Sequence, residues 1–396
     1  MKETENNKTI EEKAERKNFF NARNIIIIIL TTLATGALMY VTFKFILDMD
    51  WSKFFHNVGQ GITLQLGALW LTLLILFMII SIAYNYTHIW IRLRRLGIHV
   101  PAWQYFIFSL SISFLKGVTP ANFVYDPYTI FWLKTQGVST SRATSIMFSN
   151  ALLWQAMELI IHVPSFIIVM IKADLLIALG AEGITLIVLM SLGLLIDIIG
   201  CLFMLLLCFS RRAHFVLSSI FNWFKKKLHM KYHTKAEIEE KYKKRATIKN
   251  EVIEYYKNWK DTLIIVLILV AYELIVYFSL NSALALLNVN GEFKFNPCDV
   301  FNSANMAFNA NRINFIPAFS VGLEWALWRM LESLGGIQQT GVTPAKDFIN
   351  QGIVLWRSFY TYFPTLIGLF GFMGLTIFHV VSYKKRKGSF IESKYE

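Results

Sequence analysis

Apolar residues run through most of the chain in long stretches, and these stretches are of two kinds. Those at Ile25–Leu47, Ile62–Tyr84, Thr144–Ile171, Ile184–Phe209 and Thr262–Leu287, with a last apolar region ending at Val381, reach the roughly 18 residues that mark a membrane-spanning helix. They predict about six full spans. Two further stretches are equally oily but broken. Ser111–Arg142 is interrupted at Gly117, Pro120 and Pro127 and carries Lys116, Asn122 and Asp126 where its neighbours are apolar. Asp299–Ala326 holds Asn302, Asn305, Asn309, Asn311, Arg312 and Asn314, breaks at Pro317, and resumes as a helix with Glu324. Bare backbone at membrane depth is tolerated only where protein or a water-filled cavity satisfies it, so each broken stretch reads as a re-entrant helical hairpin lining a site.

Charge decides how these segments cross. Arg92, Arg94 and Arg95 end the second span, and the segment from Arg211 to Lys260 has fourteen basic residues against five acidic ones. Basic loops stay in the cytoplasm. Two spans lie between these basic groups, so a hairpin near 103–142 that dips in and returns satisfies the bias, whereas a lone crossing does not. The same count predicts a second hairpin near 299–336 that dips from the outside. The chain then divides into a cytoplasmic tail (1–23), a first membrane half (24–210), a basic cytoplasmic loop (211–260), a second membrane half (261–381) and a basic cytoplasmic tail (382–396). The stretch 344–362 could be a half-span, a surface helix or the start of a long tilted one. The fold class expected is all-α, a polytopic cell-membrane protein with both termini cytoplasmic. The hairpins share an order of half-helix, Pro, carboxylate, aromatic half-helix and Gly-Val-Ser/Thr, which is the pattern of an inverted repeat.

Composition agrees. Hydrophobic residues make up 55% of the 396 positions and charged ones 16%, and the formal charge of +13 is concentrated beside the spans rather than in a separate basic domain. This argues for contact between anionic lipid and the basic loop, and against nucleic acid. Within that loop, Ala213–Leu228 interleaves aromatics with lysines and suits the headgroup plane. Cys201, Cys208 and Cys298 form no CxxC pair, which leaves them reduced. The first apolar run is too long for a cleaved signal and stays as a span.

At the breaks the chain resembles a known family. T-P-A-N-x-x-x-D-P-Y-x-x-x-x-L-K-x-x-G-V-S at 119–139, N-F-I-P-x-x-x-V-G-L-E at 314–324, and then Gly352, Trp356 and Arg357 are similar to the integral-membrane domain of the lysyl-phosphatidylglycerol synthases, the multiple peptide resistance factors. The resemblance runs from the first span to Val381. It implies movement of lipid between leaflets. The chain departs from the family pattern at Val124 and Tyr125, where glycines are usual, at Gly322, which stands alone, and at Asn150, near the usual place of an arginine. With no soluble aminoacyl-transferase domain read before Glu396, lipid lysylation is not implied.

Each candidate residue has a plain reading beside the functional one. Asp126 before Pro127 is an ordinary helix cap, compatible with presenting amide donors to a phosphate. Glu324 lies about one turn into its helix, beyond a capping position. Lys116 and Arg312 precede the breaks, and Lys134, Arg329 and Arg357 follow them; arginine suits phosphate, but such side chains also snorkel or pair with Asp126 and Glu324. Glu158 and His162 stand one turn apart and read as an internal pair, since no further ligand completes a metal site. Asp197 and Glu273 sit alone in spans, where an unpaired charge costs at least about 2.5 kcal/mol, so each needs a partner, a proton or a polar interior.

The reading this supports is a translocase for phospholipid, aminoacylated or not. Its substrate-binding residues are Lys116, Asn122, Asp126, Arg312, Glu324 and Arg357, with no catalytic residue, metal or cofactor expected. A second copy or a separate lipid-modifying enzyme is the further partner that fits. The alternatives are an intramembrane headgroup transferase and a secondary transporter of a small polar solute. No ATP-binding loop is read.

Overall fold

The computed structural model describes residues 50–376 except 65, 119–124, 228–233, 314–320, 336 and 340–344, together with nine positions of the first apolar run. In order the helices are α1 (Trp51–Thr63), α2 (Gly67–Arg95), α3 (Ala102–Val118), α4 (Tyr125–Thr135), α5 (Thr140–Ile171), α6 (Ala173–Ile177), α7 (Ala181–Phe209), α8 (Arg211–Lys227), α9 (Lys235–Lys257), α10 (Trp259–Leu287), α11 (Pro297–Ala310), α12 (Val321–Ser333) and α13 (Ala345–Arg357). A π-helical turn, Ser358–Tyr362, continues α13 into a last helix, α14, over 363–376. Two two-residue strands, β1 (Phe293–Lys294) and β2 (Gln338–Gln339), pair antiparallel.

This is an all-α polytopic membrane protein. Among the described residues α2, α5, α7 and α10 are long and apolar enough to span. Leu69 and Ile79 on α2, and Ile184, Leu195 and Leu202 on α7, are exposed. In water such faces would drive association; in a bilayer they meet lipid tails of the same polarity. The core centres on α10, whose Leu269, Leu280, Ala283 and Leu284 are fully buried. The expected first span and both terminal tails lie mostly or wholly outside the described residues.

Contacts at the helix ends define two faces. On the basic face, Arg95 at the end of α2 pairs with Asp261 at the start of α10, and Arg142 of α5 lies 3.9 Å from Glu251 of α9. On the opposite face, Lys172 after α5 pairs with Asp299 of α11 at 2.5 Å, and Arg329 of α12 with Glu182 of α7 at 2.5 Å. These ties place both ends of the α11/α12 pair on the opposite face. The α3/α4 pair turns back likewise: Phe108 stacks on Trp132 at 4.1 Å and on Tyr128 at 6.1 Å, and Tyr105 meets Trp132 at 5.6 Å. Each pair is a helical hairpin, and the two are built from opposite faces of the bundle.

Several local expectations change. The second span begins at Gly67 rather than Ile62, because Trp51–Thr63 forms a separate amphipathic helix that Asp50 caps through Lys53 N–H at 3.1 Å. Gly137 and Ser139 make a turn: Gly137 takes a φ of 90°, which favours glycine, and Ser139 caps α5. The stretch 345–362 is one helix running onward into α14. Helix α8 exposes Val216, Ile220, Trp223 and Phe224 beside its three terminal lysines, the amphipathic character expected of it.

Close packing brings the second hairpin to its place. A methyl group at Gly193 of α7 would overlap the backbone carbonyl of Asn309 on α11. Small residues of this kind let membrane helices approach closely. Gly193→Ala is therefore expected to cost about 1–3 kcal/mol, seen as a lower midpoint of thermal unfolding in detergent. Gly374→Ala, where the added carbon meets open space, should not lower it. Equal midpoints for the two would count against the close crossing of α7 and α11.

Candidate functional site

The half-helices that face each other inside the bundle carry charge in a set order. Lys116 is in the last turn of α3 and Asp126 in the first turn of α4; Arg312 is in the 3-10 turn after α11 and Glu324 in the first turn of α12. Each cation sits at the negative end of a helix dipole and each carboxylate at a positive end. Helix α4 starts at Tyr125, so Asp126 lies inside its first turn rather than at the cap. Asn122, like Pro120, Asn314 and Pro317, falls outside the described residues.

Between the hairpins lies a cavity of about 400 Å3. Lys116 and Asp126 line it from the first hairpin and Arg312 and Phe308 from the second. Helix α2 adds Tyr84, Asn85 and His88, α5 adds Trp154 and Glu158, α10 adds Tyr272, Glu273 and Tyr277, and the π turn adds Tyr360. Lys116 Nζ donates to Asn85 Oδ1 at 2.8 Å and stands 5.7 Å from the Tyr84 ring centre. Tyr84, Trp154 and Tyr272 form a three-ring wall, with centres 4.6, 5.6 and 5.7 Å apart. Three carboxylates, Asp126, Glu158 and Glu273, therefore share the cavity with two cations.

Arg312 is anchored from behind. Its guanidinium pairs with Glu158, and its Nε lies 3.2 Å from Asp197 Oδ1. Asp197 is further held by His162 Nδ1 at 2.9 Å, Asn309 Nδ2 at 3.1 Å and Gln155 Nε2 at 3.1 Å, while Trp154 Nε1 donates to Glu158 at 2.5 Å. Glu158 and His162 are thus not each other's partners, as their spacing suggested. They reach different members of one network spread over α5, α7 and α11. Asp197 finds the partners its burial demands. Glu273, 5% exposed, lines the cavity with no ion pair among the described residues.

Glu324 and Arg357 lie apart from this cavity. Arg357 Nε donates to Glu324 Oε1 at 2.8 Å and its Nη1 to Thr361 Oγ1 at 2.8 Å, and both charged side chains are 1% exposed. Arg357 also borders a smaller cavity of about 140 Å3 that shares Asn85, Lys116, Tyr272, Phe308 and Tyr360 with the larger one. The structure therefore gathers Lys116, Asp126 and Arg312 around one space and puts Arg357, held by Glu324, on the border of the smaller cavity beside it. Lys134 and Arg329 stand elsewhere; Arg329 pairs with Glu182 and Glu332 on the opposite face. Sequence reasoning did not single out Tyr84, Asn85 and His88 of α2. Their signal was a polar cluster one turn long inside an apolar run.

Residues 25–295 match the family model described as the lysylphosphatidylglycerol synthase TM region. That range takes in the first hairpin and stops before the second. Two curated relatives are similar over most of their length. The uncharacterized protein MG306 homolog of Mycoplasma pneumoniae is 24% identical over 323 residues, covering 80% of each chain. The uncharacterized protein MG306 of Mycoplasma genitalium is 23% identical over 367 residues, covering 89% of this chain and 90% of its own. No solved structure matches.

Truncating either member of the Glu324–Arg357 pair strands the other charge in a buried site. Glu324→Ala or Arg357→Ala is expected to cost about 3–5 kcal/mol. The double variant Glu324→Leu, Arg357→Met should be more stable than either single one when thermal unfolding is followed in detergent. Single variants that melt with the wild type would show that the pair is not desolvated.

Proposed function

The chain belongs to the family of the lysylphosphatidylglycerol synthase transmembrane region, and from that premise we propose that it moves a phospholipid headgroup through the cavity between its two hairpins. The observation that carries this reading is the meeting of Lys116 and Arg312, one from each hairpin, around one polar space inside an apolar bundle. A volume of about 400 Å3 is in the range of small-molecule sites and accommodates a headgroup without its acyl chains. Lys116 and the partly exposed Arg312 donate to the phosphate. Asp126, Glu158 and Glu273 offset a positive group on the headgroup, as an aminoacylated lipid would bring. The tyrosine and tryptophan wall packs against whatever cation is held there.

Hairpins built from opposite faces suit alternating access, in which the site opens to one face by movement of one hairpin and to the other by movement of its counterpart. In this reading the face with Arg92–Arg95 and α9 is cytoplasmic, as its positive charge favours, and the membrane is the cell membrane. Glu324 and Arg357 hold the second hairpin against α13 rather than touching lipid.

The test is a leaflet-resolved assay in proteoliposomes carrying fluorescent phosphatidylglycerol or its lysylated form. Wild-type protein should speed exchange between leaflets. Lys116→Ala should slow it by about tenfold or more, the loss expected for one charge-assisted hydrogen bond in a dry site. Equal rates for wild type and the Lys116→Ala variant, both folded, would remove the headgroup site. Turnover of lipid without movement would favour the transferase, and solute uptake without lipid movement the transporter.

A further inference from the structure

A second cavity, of about 450 Å3, lies at the basic face where α9 crosses the ends of α2 and α5. Arg92 forms its inner wall and is 2% exposed. Two edges of that guanidinium are occupied: Nε donates to the Tyr255 hydroxyl at 2.9 Å, and Nη1 donates to the Ile146 carbonyl. Its Cζ lies over the Tyr255 ring, 4.2 Å from the ring centre. The remaining nitrogen, Nη2, is buried and has no hydrogen-bond partner among the described residues. Leaving a charged donor buried and unpaired is costly, so a native site of this kind calls for an acceptor.

The neighbouring charges indicate what that acceptor is. Arg95 and Arg142 stand at the rim. Of the acids close by, Asp261 is taken up by Arg95, and Glu251 by Ser145 at 2.6 Å and by Arg142 at 3.9 Å. Glu254 is exposed on the cavity's border. Among the charged lining residues Arg92 is the buried one. A buried arginine with one unpartnered nitrogen, lining a pocket with two more arginines at its mouth, fits an oxyanion with several acceptor oxygens.

We propose that this cavity is a phosphate-binding site, with Arg92 as its principal donor and Arg95 and Arg142 as rim contacts. The phosphate belongs either to a lipid headgroup drawn from the adjacent leaflet or to a soluble phosphate compound. The site is separate from the cavity between the hairpins and does not depend on lipid movement there. Its walls come from three elements far apart in sequence, so its occupant ties the basic connector α9 to the membrane bundle.

Binding is measured on the purified full chain in a phosphate-free maltoside detergent, by calorimetry, with inorganic phosphate and dihexanoyl phosphatidylglycerol as probes. The Lys116→Ala background removes the contribution of the central cavity. Saturable binding should persist in that background, weaken by about tenfold or more on adding Arg92→Gln, and weaken several-fold on adding Arg142→Glu. Binding of inorganic phosphate assigns a soluble ligand, and binding of the lipid probe alone assigns a headgroup. No binding of either probe, or affinity unchanged by Arg92→Gln, overturns the proposal. Should Arg92→Gln fail to fold, the exposed Arg142 decides, and unchanged affinity in Arg142→Glu overturns it equally.

Discussion

Arg312 sits between Glu158 and Asp197 deep in an apolar bundle, and this arrangement fixes where three helices can lie. A single charge in that setting is expensive, and two carboxylates without a cation would be worse. The cost is met only if α5, α7 and the end of α11 come within hydrogen-bond reach of one another. Gly193 permits the approach of α7 to Asn309, and Asn309 and His162 complete the shell around Asp197. The second hairpin therefore occupies its place because a charge network demands it, and the cavity is what remains between that hairpin and the first.

The two hairpins solve the same electrostatic problem in the same way. A helix that stops inside a packed bundle leaves its terminal amides or carbonyls without helical partners, and a side chain of the complementary sign softens each end. Lys116 with Asp126, and Arg312 with Glu324, occupy corresponding positions in this scheme. They diverge afterwards. Arg312 and Glu324 are drawn into ion pairs with other helices, whereas Lys116 takes a neutral partner in Asn85 and faces the cavity beside Asp126. The first hairpin thus sets its charges at the cavity, while the second uses much of its own for attachment.

How far the sequence disclosed this can be traced residue by residue. Run length identified α5, α7 and α10, because membrane constraints act on local composition, and the Pro and Gly breaks divided the shorter segments into the pairs α3/α4 and α11/α12. Lys116, Asp126 and Arg312 were legible for the same reason, as charges where charge is costly. Their partners were not, since Glu158, Asp197 and Arg312 are joined only by folding across more than a hundred residues. Local spacing suggested pairing Glu158 with His162, and tertiary geometry separated them. Glu324 and Arg357 were marked as substrate groups, yet they are held by each other in a buried pair. Helix α1 was missed because its polar and apolar residues alternate in too short a run to signal a span. Arg92 read simply as a topogenic charge, and nothing in its surroundings in the chain disclosed its burial beneath Tyr255.

The helix that follows α12 grips both hairpins at once. Below the π turn, Arg357 holds Glu324 of the second; above it, Gly368 and Gly371 lie against Leu110 and Phe114 of the first, and Thr365 abuts Gly117. A π turn carries an extra residue per hydrogen-bonded loop and resets the angular phase of everything after it. The rod is thus two levers with different headings joined at Ser358–Tyr362, and one hairpin cannot swing without loading the joint that braces its counterpart.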